Sequence, residues 1–351
     1  MKDQGMVKDQ DMVSDPGMVN DPGMVKDQDI VKDQDIVKDQ DMVKDSDIVK
    51  DQDMVKDPGM VKDQGMVKDH SVDICGVRFK NPIVAASGTF NTRESSLYYD
   101  PAALGCITTK SVSLEPWAGN DAPKIAETHG GMLNAIGLAN RGVEFYIKSD
   151  LKTLKDAGAT VMASVVGHTA EEYATVAGRL ANTGVDLLEL NISCPNVKQG
   201  GIAFGTDTKT AAALVAGVKK VCGRKPVIVK LTPNVTDVTE IARAAVDAGA
   251  DGLSLINTLR GMRIDLITKE PVLTTGSGGL SGPAIHPVAV HMIYQVRRAV
   301  GVPIIGMGGV MTGADAYELM LAGADAVAVG TAALIDPAAP VRILSELNMY
   351  L

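Results

Sequence analysis

Leu188-Glu189-Leu190-Asn191-Ile192-Ser193-Cys194-Pro195-Asn196 begins as an apolar run and ends in two amides, a thiol and a proline. Residues 185–190 are too short for a helix and too apolar to be exposed, so they read as a buried strand. Pro195 has no N–H to give to a central ladder, so the strand stops before it and its tip faces a site. A thiol flanked by two carboxamides at the carboxyl end of such a strand sits where parallel α/β folds place their chemistry.

Working outward, similar runs recur at 83–87, 106–110, 161–165, 227–231, 252–256, 303–306 and 326–330. Helical patterns fall between most of them, at 170–181, 209–221, 238–248, 288–300 and 314–322. Gly-Ala-Asp closes a helix and opens a strand at Asp251 and again at Asp325. Eight strands alternating with helices predict a TIM (β/α)8 barrel, with a doubly wound open sheet as the alternative. Residues 72–79 alternate around Gly76 and predict a small hairpin capping one barrel end.

The barrel does not begin at the first residue. Residues 1–71 repeat a hexad, MVKDQD and its variants, in about eleven copies, whereas 72–351 have the length of one barrel domain. Ten Lys and eighteen Asp before residue 72 supply −8 of the net −9, so the rest of the chain is near neutral. As a strand the hexad has no apolar face, and as a helix its Met-Val pair turns about 240° per repeat and forms no stripe. Pro-Gly pairs at Pro16-Gly17, Pro22-Gly23 and Pro58-Gly59 break either structure. A low-complexity, disordered tail is the expectation; a stacked solenoid or an array of weak partner-binding segments are the alternatives.

Composition removes several classes. No basic face appears, which argues against nucleic acid. Cys75, Cys106, Cys194 and Cys222 have neither CxxC nor metal-ligand spacing, so no metal site is expected and a reducing, cytoplasmic setting is. No apolar run reaches the about 18 residues of a membrane span, and the start lacks the apolar core of a signal peptide.

The strand ends carry the chemistry. They read Ala86-Ser87-Gly88-Thr89, Thr108-Thr109-Lys110-Ser111, Lys230-Leu231-Thr232-Pro233-Asn234, Ile256-Asn257-Thr258, Gly306-Met307-Gly308-Gly309 and Val329-Gly330-Thr331. Glycine turns after strands seven and eight, each opening a helix, match the usual barrel phosphate site. Lys110 and Lys230 end apolar strands, where an ammonium requires a buried partner or an anionic ligand. Asn134, Asn191, Asn196 and Asn257 offer paired donors and acceptors for a planar polar ligand. Cys194 is either a small buried hydrophobe or, if its environment lowers a thiol pKa of about 8.5, a general base.

Asn191-Ile192-Ser193-Cys194-Pro195-Asn196-Val197-Lys198 with Gly200-Gly201 resembles dihydroorotate dehydrogenase of class 1B. Thr108 to Ser111, Asn134-Ala135-Ile136-Gly137-Leu138, Gly278-Gly279-Leu280-Ser281-Gly282-Pro283 and Gly306 to Gly309 resemble the same family in the same order, over about residue 72 to the end. The resemblance implies FMN at the barrel mouth, held by Ser87, Lys110, Ser111, Ser164, Asn191, Lys230, Ile256, Gly282, Gly308, Gly309, Gly330 and Thr331. It implies dihydroorotate held by Lys110, Asn134, Ala135, Ile136, Gly137, Leu138, Asn191, Asn257 and Thr258, with Cys194 as base. It further implies a partner subunit with FAD and a 2Fe–2S cluster, in a heterotetramer that passes electrons to NAD for pyrimidine biosynthesis.

Two departures stand out. Ser164 replaces the family's frequent Asn, and Ala139-Asn140-Arg141-Gly142 replaces Gln-Asn-Pro-Gly. The rival expectations are a fumarate-linked class 1A enzyme, another dihydropyrimidine-oxidising flavoenzyme, or a scaffold acting through the repeat.

Overall fold

The computed structural model describes residues 69–193 and 204–351. The repeat up to residue 68, and Cys194, Pro195 and Asn196 of the central motif, lie outside the described residues.

Among the described residues, eight parallel strands close on one another. They are β1 (Ile83–Ala85), β2 (Cys106–Thr108), β3 (Val161–Val165), β4 (Leu187–Asn191), β5 (Val227–Lys230), β6 (Gly252–Leu255), β7 (Ile304–Met307) and β8 (Ala326–Val329). Pairing of Val327 with Ile83 joins β8 to β1 and rules out the open sheet. Every position of β3, β4 and β5 is buried, because helices cover one side and the barrel interior fills the other. The sequence patterns place the helices well. Ala170–Ala181, Thr208–Cys222, Val238–Asp247, His286–Ala299 and Gly313–Leu321 start within two residues of expectation. Thr169, Asp207, Asp237 and Thr312 each accept a first-turn N–H and fix those starts.

The predicted hairpin pairs Val72–Ile74 with Val77–Phe79. Ile74 and Phe79 are fully buried and pack with Val84, Cys106, Met162, Leu187, Ile228 and Ile305, which plugs the amino-terminal end of the barrel.

The same end carries a recurring latch. An aspartate just before a strand accepts the backbone N–H that opens the preceding strand and pairs with a cation from the helix that leads into that preceding strand. Asp186 holds Val161 N at 2.7 Å and Lys155 at 2.7 Å; Asp251 holds Val227 N at 2.7 Å and Lys219 at 2.6 Å. Asp325 holds Ile304 N at 2.7 Å and pairs with Arg297. The Gly-Ala-Asp punctuation is therefore a structural device at the closed end.

One layer was not expected. Residues beyond β2 and β6 form a four-stranded antiparallel sheet, ordered Leu259–Gly261, Gly278–Ser281, Gly131–Asn134, Ile125–Thr128. Its small core is Ala126, Leu133, Ala135 and Leu273, and it carries Asn134 to the barrel mouth. Among the described residues no helix is long and apolar enough to cross a membrane, and no group of His, Cys, Asp and Glu could hold a metal ion.

Candidate active site

A cavity of about 820 Å³ opens at the carboxyl ends of the strands. Ser87, Lys110, Ser111, Asn191, Lys230, Ile256, Gly308, Gly309, Gly330 and Thr331 line it. Asn134, Ala135, Ile136, Gly137, Leu138, Asn257 and Thr258 line it as well, although they come from two distant segments.

Two expected residues do not reach the wall. Ser164 pairs in register with Glu189, two residues below Asn191, so it lies inside the barrel rather than at its mouth. Its fully buried hydroxyl is 3.0 Å from that of Ser111. Gly282 lies behind the β7 turn, where its carbonyl would stand 2.8 Å from a Cβ added to Gly309.

The polar wall is wired together. Ser111 Oγ receives a hydrogen bond from Asn191 Nδ2 at 3.2 Å and lies 3.5 Å from Ser87 Oγ. Ser193 Oγ donates to Asn191 Oδ1 at 2.8 Å, and Asn257 Nδ2 donates to Ser193 Oγ. Tyr173 OH donates to the Asn191 carbonyl at 2.7 Å, tying the strand end to the helix outside. These bonds hold the amides of Asn191 and Asn257 in set orientations before any ligand arrives.

The lysines differ. Lys230 is 5% exposed and its Nζ lies 3.9 Å from the fully buried Glu189 carboxylate. Lys110 has no carboxylate partner among the described residues, and burial pulls its ammonium below the usual lysine range. An unpaired, desolvated cation lining a cavity calls for an anion there.

The turn after β7 differs from expectation in how it leads into its helix. Gly308 (φ +137°) and Gly309 (φ +69°) adopt conformations that side chains avoid, and a Cβ on Gly309 would stand 2.7 Å from His286 Cβ. The helix does not open there, however. It begins at Gly313, with Thr312 and Asp315 capping it and Glu346 accepting the Gly313 N–H. Its amino terminus is already satisfied, so any anion at this turn meets the backbone of Gly308 and Gly309. Only the turn after β8 runs straight into a helix, Thr331–Ile335.

The departing loop 139–142 lines a neighbouring cavity of about 720 Å³, which shares Lys110 and Ser111 with the first. Asn140 Oδ1 accepts from Gly142 N at 2.9 Å and Ser113 Oγ at 2.9 Å, and the Arg141 guanidinium lies over the Phe145 ring at 3.7 Å. Sequence reasoning passed over Glu189, Ser193, Asn234 and Arg260. Asn234 donates to Thr258 O at 3.0 Å and accepts from Arg260 N at 2.8 Å, which fixes the loop beyond β6. Glu189 was visible as a charge inside an otherwise apolar strand.

A barrel with its polar groups gathered on one cleft, a buried and a half-buried lysine and a glycine turn has the layout of an enzyme site. The family model for dihydroorotate dehydrogenase matches residues 70–351, and the chain belongs to that family. It is 53% identical over 281 residues to the dihydroorotate dehydrogenase B (NAD(+)) catalytic subunit of Alkaliphilus metalliredigens (strain QYMF), covering 80% of this chain and 93% of that one. The subunit of the same name in Geobacter sp. (strain M21) is 54% identical over 283 residues, covering 80% and 92%.

Proposed function

We propose that this chain is the catalytic subunit of a class 1B enzyme that oxidises dihydroorotate to orotate in pyrimidine biosynthesis. The reading rests on one observation above all: seventeen residues singled out by motif, from separate parts of the chain, line a single cavity.

The donor set fits FMN. Lys230 and Lys110 supply cationic hydrogen-bond donors, and Gly308 and Gly309 form a cradle that a Cβ would fill. Gly308, Gly309, Gly330 and Thr331 would hold the phosphate; Ser87, Ser111, Asn191, Lys230 and Ile256 would hold the ring and ribityl chain. Ser164 would act through Ser111 and Gly282 by shaping the β7 turn. When bound, the flavin accepts the hydride that leaves C6 of dihydroorotate.

The chain's own residues do the rest. Cys194 takes the C5 proton as a thiolate, and the C5–H and C6–H electron pairs become the C5=C6 bond and the departing hydride. Asn134, Asn191 and Asn257 orient the ring by their amides, Lys110 faces the carboxylate, and Ala135 to Leu138 with Thr258 close the pocket. Electrons leave through a partner subunit carrying FAD and a 2Fe–2S cluster to NAD, in a cytoplasmic heterotetramer.

Replacing Cys194 tests the assignment. Cys194→Ala abolishes dihydroorotate oxidation while the yellow flavin absorbance stays, and Cys194→Ser keeps a small activity shifted to higher pH, because a hydroxyl is a poorer base. Full activity in the alanine variant removes the base assignment.

A further inference from the structure

The barrel interior changes character along its axis. Its lower part is apolar, from the Ile74 and Phe79 plug through Met162, Ile228 and Ile305. Above it, β4 places Glu189 at 0% exposure and β5 places Lys230 at 5%. Glu189 Oε2 accepts a hydrogen bond from Ser254 Oγ at 2.9 Å. Among the described residues Glu189 Oε1 has no hydrogen-bond partner, and it lies 3.9 Å from Lys230 Nζ.

That separation preserves the Coulomb attraction but exceeds a hydrogen bond. Lys230 thus has a counter-charge behind it and, lining the cavity, keeps its donors for what binds in front. A strut built only for stability would bond both carboxylate oxygens, since a buried unmet acceptor costs about 1–3 kcal/mol. The other charged groups at the mouth, Lys110 and Arg260, are cations. Below Glu189 the Cys106 thiol is pushed well above the ordinary range by burial and stays neutral. Among the described residues, Glu189 is therefore the anion facing Lys230.

We propose that Glu189 is a positioning residue: as the counter-charge behind Lys230 inside the closed barrel it holds that side chain at the mouth, so that the mouth stabilises negative charge gathered on an electron-accepting ring. The inference rests on the flavin reading above and concerns how the chain tunes that ring.

The test is the flavin midpoint potential of the holoenzyme, measured by dye-equilibrated reductive titration. Glu189→Gln lowers the preference for reduced flavin at least tenfold, about 30 mV for a two-electron couple. Lys230→Met lowers it in the same direction, the double variant falls no further than Lys230→Met, and Glu189→Asp restores the wild-type value. A midpoint that rises in Glu189→Gln means that the carboxylate acts on the ring directly; an unmoved one means that it is only a strut. Either result overturns the proposal. If Glu189→Gln fails to fold, the double variant carries the comparison, because replacing both members of a buried pair by neutral groups is tolerated. A double variant more than 30 mV from Lys230→Met is then the refuting outcome, by the same conversion. A wild-type protein without flavin absorbance overturns the parent reading too, whereas a yellow protein with an unmoved midpoint overturns this inference alone.

Discussion

Replacing Gly309 by alanine puts the anion cradle to a quantitative test. At φ +69° an L-residue costs about 1–2 kcal/mol relative to glycine. The new Cβ would stand 2.7 Å from His286 Cβ, 2.8 Å from the Gly282 carbonyl and 3.0 Å from His286 N. His286 cannot swing aside freely, because Nδ1 contacts Gly308 O at 2.8 Å and Nε2 contacts Glu318 at 3.1 Å. Overpacking of this kind costs about 1–3 kcal/mol, so the turn carries a total strain of about 2–5 kcal/mol. The strain is relieved by moving the turn, and the turn is the cradle. If about 2 kcal/mol of it falls on the bound state, FMN binds about 30-fold more weakly. Fluorescence titration of FMN into apo-protein reads the dissociation constant, and urea unfolding of the apo form reads the stability separately. Wild-type affinity in a Gly309→Ala variant that unfolds earlier would show that the turn is structural and the cofactor phosphate sits elsewhere.

Other outcomes follow from the same geometry. Lys110→Met leaves the apo-barrel at least as stable, since burial disfavours its ammonium, yet weakens orotate binding by about 1.5–3 kcal/mol, the worth of a charged hydrogen bond; calorimetric titration checks it. The Cys75 thiol, half-buried and donating to the Asp251 carbonyl at 3.2 Å, is pushed up to about 12 by burial first and then by Asp251 and Asp73. Its neutral form is favoured on folding, so its stabilising effect is complete below the unfolded value of about 8.5 and is lost as pH rises toward 12. Urea midpoints measured from neutral to alkaline pH fall across that window, and Cys75→Ala flattens the fall. Deleting residues 1–70 leaves dihydroorotate turnover within about twofold, since the composition of the hexad repeat offers little apolar surface to bury.

How far the sequence reached depended on where the information lay. The barrel strands and their helices were legible because both faces of each strand are buried, which leaves uninterrupted apolar runs such as 227–229 and Ala326–Val329. The antiparallel sheet was not legible. Gly278–Ser281 is half-exposed throughout and shows no alternation, so its strand character comes from its neighbours Gly131–Asn134 and Leu259–Gly261. At the site, residue type marked the mouth but not depth within it. Ser164 and Asn191 both close a strand in sequence, yet the tilted register sets Ser164 level with Glu189 and lifts Asn191 level with Lys230. The helix at Gly313 was legible, but its capping by Thr312, which separates it from the glycine turn, was not.

The three aspartate latches have a consequence for how such a protein changes over time. Each fastens one stave to the next at the foot of the barrel, far from the residues that touch ligand. Folding strength and chemical identity are thereby kept in different storeys of the molecule. Rim loops such as 139–142 are free to drift toward new substrates or partners while the foundation stays fastened.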